Sequence, residues 1–159
     1  MAKDLTAIRI PGDLVEALKA ISNQPQGFYS ERTVSWLIVQ AVKEFLEHGD
    51  NVNARSRDGI DATALYYAVN FGPDDDGLHV ARLLIEHGAD VNAPSGAGLT
   101  VLMAAVRRHS PQTVRLLLNR GANVNTRGPR GATAFDFAQE ENNQEVLTLL
   151  HGATAKQNP

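Results

Sequence analysis

Cysteine is absent from this chain of 159 residues, which excludes a disulfide framework, a thiolate metal site and a cysteine nucleophile together. Long apolar runs are absent too. No stretch approaches the roughly 18 apolar residues that a membrane span needs. The opening Met1-Ala2-Lys3-Asp4-Leu5-Thr6 lacks the basic stretch and apolar core of a secretory signal. These absences make a cytoplasmic location, without membrane association, the expectation. A basic excess is also missing: 15 Lys and Arg stand against 18 Asp and Glu, a net charge of −3. That balance argues against a large non-specific nucleic-acid surface and leaves room for a small local one.

Constellations that carry chemistry are scarce. Nothing resembles a nucleophile elbow, a phosphate loop or a paired acid/base site, so neither a catalytic residue nor enzymatic activity is expected. His79, His109 and His151 share no metal-ligand spacing such as His at i and i+4. His48 and His87 precede glycines that end helices, where a cation is mildly favourable. Pro73-Asp74-Asp75-Asp76-Gly77 lacks the alternating ligands and closing glutamate of a calcium loop and reads as an acidic surface insertion. Neither metal nor cofactor is expected.

What the sequence does contain is a repeat. Phe45-Leu46-Glu47-His48-Gly49-Asp50-Asn51-Val52-Asn53 aligns with Leu84-Ile85-Glu86-His87-Gly88-Ala89-Asp90-Val91-Asn92 and with Leu117-Leu118-Asn119-Arg120-Gly121-Ala122-Asn123-Val124-Asn125. The closing asparagines are Asn53, Asn92 and Asn125, so the first interval is longer than the second. Upstream, Thr63-Ala64-Leu65-Tyr66-Tyr67-Ala68, Thr100-Val101-Leu102-Met103-Ala104-Ala105 and Thr133-Ala134-Phe135-Asp136-Phe137-Ala138 align too. Thr100 and Thr133 are separated by the same interval as Asn92 and Asn125. Two extra residues around Ile60 and Asp61 and four around residues 73–77 lengthen the first interval. Each threonine can cap a helix. Val80 to Leu84 and Val114 to Leu118 form an apolar stripe at helical spacing, and Gly88 and Gly121 can end those helices in a left-handed conformation.

A period of about 33 residues with this content resembles the ankyrin repeat, a β-turn followed by two antiparallel helices. The resemblance covers residues 42–155, as one half repeat, two full repeats and a shortened C-terminal cap whose polar 139–144 stretch separates its helices, with a disordered tail at 156–159. The fold class implied is mostly α: a short ankyrin-repeat solenoid preceded by a strand-helix-helix module. The family's Thr-Pro-Leu-His tetrapeptide reads Thr-Ala-Leu-Tyr, Thr-Val-Leu-Met and Thr-Ala-Phe-Asp here. Without that proline and histidine the array should be softer than a consensus one.

Residues 1–48 break the pattern. Ala7-Ile8-Arg9-Ile10 alternates and stops at Pro11, Asp13 can cap a helix bearing Leu14, Ala17, Leu18 and Ile21, and a second helix runs from about residue 31 to His48. Strand, helix, helix led in by Ile-Arg-Ile-Pro resembles the ribbon-helix-helix family of small DNA-binding repressors and antitoxins, over residues 5–47. The second helix is apolar on more than one face, which a segment this short cannot bury alone. A homodimer covering one side, with the array sharing the helix at its other end, is the expectation. The family reading turns Lys3, Leu5, Ala7 and Arg9 toward a major groove, with Arg9 on guanine and the backbone near Ser30 to Arg32 on a phosphate. Against it, residues 1–47 carry five Lys or Arg and six Asp or Glu, and Leu5 and Ala7 are poor base readers. A dimerisation or capping module without DNA binding is the alternative.

In ankyrin arrays a partner meets the turn tips and the concave ends of the first helices. Carried over by position, that selects Arg57, Asp58, Asn70, Phe71, Arg107, Arg108, Arg130, Glu140 and Glu141, with Arg55 and Arg127 nearby. The arginines are expected to line one edge and suit acidic groups of a protein partner, with Phe71 as an anchor. Two functional classes follow: a dimeric regulator, antitoxin-like or repressor-like, whose ribbon contacts DNA, or an immunity, inhibitor or adaptor protein with no DNA role.

Overall fold

A computed structural model describes residues 51–56, 60–71 and 74–157, together with Val42 and Gly49. Among these residues there are six α-helices: α1 (Ala64–Phe71), α2 (Asp74–Glu86), α3 (Val101–Arg107), α4 (Pro111–Asn119), α5 (Ala134–Glu140) and α6 (Gln144–Gln157). They form three antiparallel pairs, α1 with α2, α3 with α4 and α5 with α6. The first helices contact one another in one layer, α1 to α3 to α5, and the second helices do so in the other, α2 to α4 to α6. Extended structure among the described residues is limited to two isolated bridges, Arg55 with Thr63 and Pro94 with Thr100.

Each first helix begins where its threonine stops. The hydroxyls of Thr63, Thr100 and Thr133 accept from the N–H groups of Tyr66 (3.4 Å), Met103 (3.2 Å) and Asp136 (3.4 Å), satisfying a donor that the helix start leaves without a partner. Second helices stop at glycine. Gly88 and Gly121 take φ of 88° and 85°, a region that costs glycine nothing because it lacks Cβ. Gly49, in the same register, has φ 75°. Val80, Leu84, Val114 and Leu117 are buried at 2% exposure or less, so the apolar stripe of the second helices faces the first layer. One core results, and it takes in Val42 from the half repeat.

The inserted residues are absorbed in two ways. Asp61 adopts φ 46° in the turn before α1. Further on, Asp74, Asp75 and Asp76 open α2 as part of that helix, which has 13 residues against the 9 of α4. Acidic residues suit the positive end of a helix dipole. At the other end, Gly152 does not end a helix; α6 continues to Gln157, two residues into the segment expected to be a disordered tail.

Candidate protein-binding surface

The turns between helix pairs project as a row of fingers, and hydrogen bonds fix how each sits on the next. Asn53 donates from Nδ2 to the Gly88 carbonyl (3.1 Å) and accepts at Oδ1 from the Asp90 N–H (2.8 Å). Asn92 repeats this on the Gly121 carbonyl (3.2 Å) and the Asn123 N–H (2.8 Å). The recurrent asparagine is therefore a rung that ties one turn to the helix stop of the following unit. The Gly96 N–H, shared between the carbonyls of Ile60 and Asp61 at 2.9 Å each, adds a second tie.

Arg55 and Arg127 belong to this scaffold. The Arg55 guanidinium makes a fork with the Asp61 carboxylate, 2.9 Å from Nε to Oδ1 and 3.0 Å from Nη2 to Oδ2. It also donates to the carbonyls of Asp61 (2.6 Å) and Pro94 (2.9 Å). The Asp61 hydrogen bond raises the Arg55 pKa above the ordinary guanidinium value. Arg127 donates from Nη1 to the Gly131 carbonyl (3.2 Å), bracing its own turn. The expected edge of arginines is thus divided: Arg55 and Arg127 brace turns, whereas Arg107 and Arg130 are exposed with no polar partner among the described residues.

The projecting groups sit at two places. Arg130 is exposed at a finger tip, in a left-handed conformation with φ 58°. At the opposite ends of the first helices, Asn70, Arg107 and Glu140 share one register position, as do Phe71, Arg108 and Glu141. Arg107, Arg108, Glu140 and Glu141 are exposed and Asn70 is half-buried. Phe71 is helical backbone, but its side chain lies outside the described residues, as do Arg57 and Asp58 and the whole set Lys3, Leu5, Ala7, Arg9, Ser30 and Arg32.

One ridge residue escaped the sequence reading. His109 has φ 53° and Asn142 has φ 54°; both occupy the position where the first unit has Gly72. His109 Nε2 lies 3.3 Å from Glu141 Oε2, joining the helix-end loop of the second unit to that of the third. The signal was available as a column of Gly, His and Asn nine residues after each threonine, since asparagine, like glycine, tolerates a left-handed conformation.

The last unit holds its first helix with charge. The Thr133 N–H and hydroxyl both donate to Asp136 Oδ2, at 2.6 and 2.8 Å, in a capping box. These bonds, led by the backbone one, lower the Asp136 carboxyl below its usual range, with Arg127 adding to the effect. Asp136 occupies the family's histidine position, as do the buried Tyr66 and Met103 in the first two units.

Comparison with known protein families matches this part of the sequence twice. The family description "Ankyrin repeat" fits residues 61–96, and "Ankyrin repeats (many copies)" fits residues 84–138. Residues 61–138 are ankyrin repeats. Ankyrin repeats are a protein-interaction scaffold, usually without catalytic activity, which implies a protein-binding role for this array. Two relatives are similar over part of the chain: the proteins named Potassium channel AKT1 from Oryza sativa subsp. indica and from Oryza sativa subsp. japonica. Each is 34% identical over 80 residues, which is 50% of this chain and 8% of the channel. The chain thus spans a small fraction of the relatives it matches. Among the described residues no helix is long and apolar enough to cross a membrane.

Proposed function

We propose that this protein is a non-catalytic binding protein whose ankyrin array captures a protein partner on the ridge at the ends of α3 and α5 and at the Arg130 finger tip. The observation that carries this reading is the split among its charged groups. Arg55 and Arg127 are hydrogen-bonded into the turns, whereas Arg107, Arg130 and Glu140 are exposed and have no polar partner among the described residues. Side chains held on a rigid layer but left without partners are suited to engage another protein.

For residues 1–48 the reading is a ribbon-helix-helix-like module that pairs two copies and leaves the chain a cytoplasmic dimeric regulator. Its support is the Ile-Arg-Ile-Pro lead and the second helix, too apolar to stand alone. DNA contact through Lys3, Leu5, Ala7 and Arg9 is the extension of this reading, and the acidic balance of the segment weighs against it. The rival is an adaptor or immunity-type protein in which residues 1–48 only cap the array. A gel shift at low salt lost on Arg9→Ala supports the extension; no shift, or one unchanged by Arg9→Ala, supports the rival.

The array reading is tested by quantitative affinity capture from the source cells with three forms of the full chain. These are the wild type, a ridge variant (Arg107→Ala, Arg130→Ala, Glu140→Ala) and a control on the second-helix layer (Arg82→Ala, Arg115→Ala, Glu145→Ala). The expected result is a partner retained by the wild type and the control and lost by the ridge variant. Equal recovery from all three would contradict it.

A further inference from the structure

The ridge has a charge order that its repeat register imposes. Arg107 ends α3 and Glu140 ends α5, at the same position of adjacent units and one repeat period apart. Both side chains are exposed, and neither has a hydrogen-bond or ion-pair partner among the described residues. Opposite charges on neighbouring helices would attract each other, yet these two do not pair. Their neighbours are joined: the contact of His109 with Glu141 at 3.3 Å clasps the two loops together. At the other end of these helices, the bonds of Asn92 to the Gly121 carbonyl and the Asn123 N–H tie the turn before α3 to the turn before α5. The backbone positions that carry the positive and negative groups are thus set on adjacent packed helices, with both side chains exposed to solvent.

We propose that this pair reads the charge pattern of an extended partner segment, seating an acidic side chain on Arg107 and a basic side chain on Glu140. Packed helices lie about 8–10 Å apart and an extended chain advances about 3.3 Å per residue. The two complementary residues are therefore about three positions apart in the partner. This rests on the ridge being the binding surface and adds what that surface selects: unlike charges at a set spacing, discriminated from two acids or two bases by like-charge repulsion.

The test uses the full chain on an array of synthetic 12-residue peptides. Each peptide carries one charge pair (acid with base, acid with acid, or base with base) at separations from one to six residues. The wild type should retain acid-with-base peptides best at a separation near three. Arg107→Glu should transfer the preference to base-with-base peptides, and Glu140→Arg to acid-with-acid peptides. Each matched exposed pair should change retention about two- to fivefold, and the selection should fade as salt is raised. Circular dichroism melts of both variants guard against loss of folding. A ranking that is the same in all three proteins, or no selection at all by the wild type, overturns the inference. If ridge-dependent capture persists from cells while the peptide ranking does not invert, the charge reading fails and the binding surface stands. If neither responds, both fail.

Discussion

The second and third units are built on the same register and hold together by different means. In the second, every residue of α3 from Val101 to Val106 is buried, and α4 adds Val114, Leu116 and Leu117. In the third, α5 buries only Ala134 and Ala138 and α6 only Val146 and Leu150 among the described residues, while Phe135, Phe137, Leu147 and Leu149 are only partly covered. What the third unit lacks in burial it offsets with local polar contacts. Its capping box is one, and the ring of His151 lies edge-on against Phe135 with centroids 4.9 Å apart. Thr148 and Thr154 turn their hydroxyls back onto the Gln144 and Leu150 carbonyls of their own helix. A unit packed on both sides is stabilised through its interfaces, whereas one packed on a single side among the described residues leans more on contacts of its own.

The contrast can be broken most forcefully in the interior. Leu117→Ala leaves a cavity in a position with no exposure and should cost about 2–5 kcal/mol. Leu149→Ala, at the partly covered position of the last unit, should cost only about 1 kcal/mol. Urea unfolding monitored by circular dichroism measures both, and equal losses would mean that the two units do not differ as described.

The junction between the units gives the next largest effect. A Cβ on Gly128 would lie 2.8 Å from Met103 Sδ and 3.1 Å from its Cε. Met103 is itself buried, so the end of its side chain would have to repack within the core. Gly128→Ala should therefore destabilise by about 1–3 kcal/mol, and should cost much less in a Met103→Ala background. Absence of that coupling in the double-mutant cycle would show that the close approach does not matter.

The asparagine rungs sharpen the same comparison. Asn92→Ala removes the bonds to the Gly121 carbonyl and the Asn123 N–H and should cost about 1–2 kcal/mol. Asn125 has no side-chain hydrogen bond among the described residues, and Asn125→Ala should stay within about 0.5 kcal/mol. Thermal melts of the pair decide this, and similar shifts would remove the ladder from the account.

The smallest effect is a pH dependence confined to the last unit. The folded state lowers the Asp136 pKa through the Thr133 bonds. Its contribution is therefore full above the unfolded carboxylate value and disappears as pH falls through the lowered folded value. Hydrogen exchange at the start of α5 should accelerate over that acidic window, while the start of α3, capped by the uncharged Thr100, should not follow. Asp136→Asn should abolish the difference.

Much of the array could be read from the chain alone, because the features that define it are local. Threonine caps, left-handed glycines and the stripe of Val80, Leu84, Val114 and Leu117 each state their role within a few residues. The use of Asn53 and Asn92 was not legible in the same way. The pattern marked them as recurrent, but their partners lie in the following unit, and only the stacking brings these together. The ridge shows the same limit. Position in the repeat selected Arg57, Arg107, Arg108 and Arg130, with Arg55 and Arg127 nearby, as one edge, whereas the carbonyls that draw Arg55 and Arg127 into the fingers depend on turn geometry. Similarly, the acids of residues 74–76 read as an insertion because a repeat of standard length has no place for them. The fold uses them to lengthen α2.

Photo-crosslinking of the full chain tests the central claim most directly, with a photoreactive amino acid placed at the position of Arg107 in one protein and of Arg115 in another. Arg115 is an exposed residue of α4, in the second-helix layer. The account predicts adducts to a common protein partner from position 107 and none to that partner from position 115. Equal adducts from both positions, or adducts from position 115 alone, would contradict it.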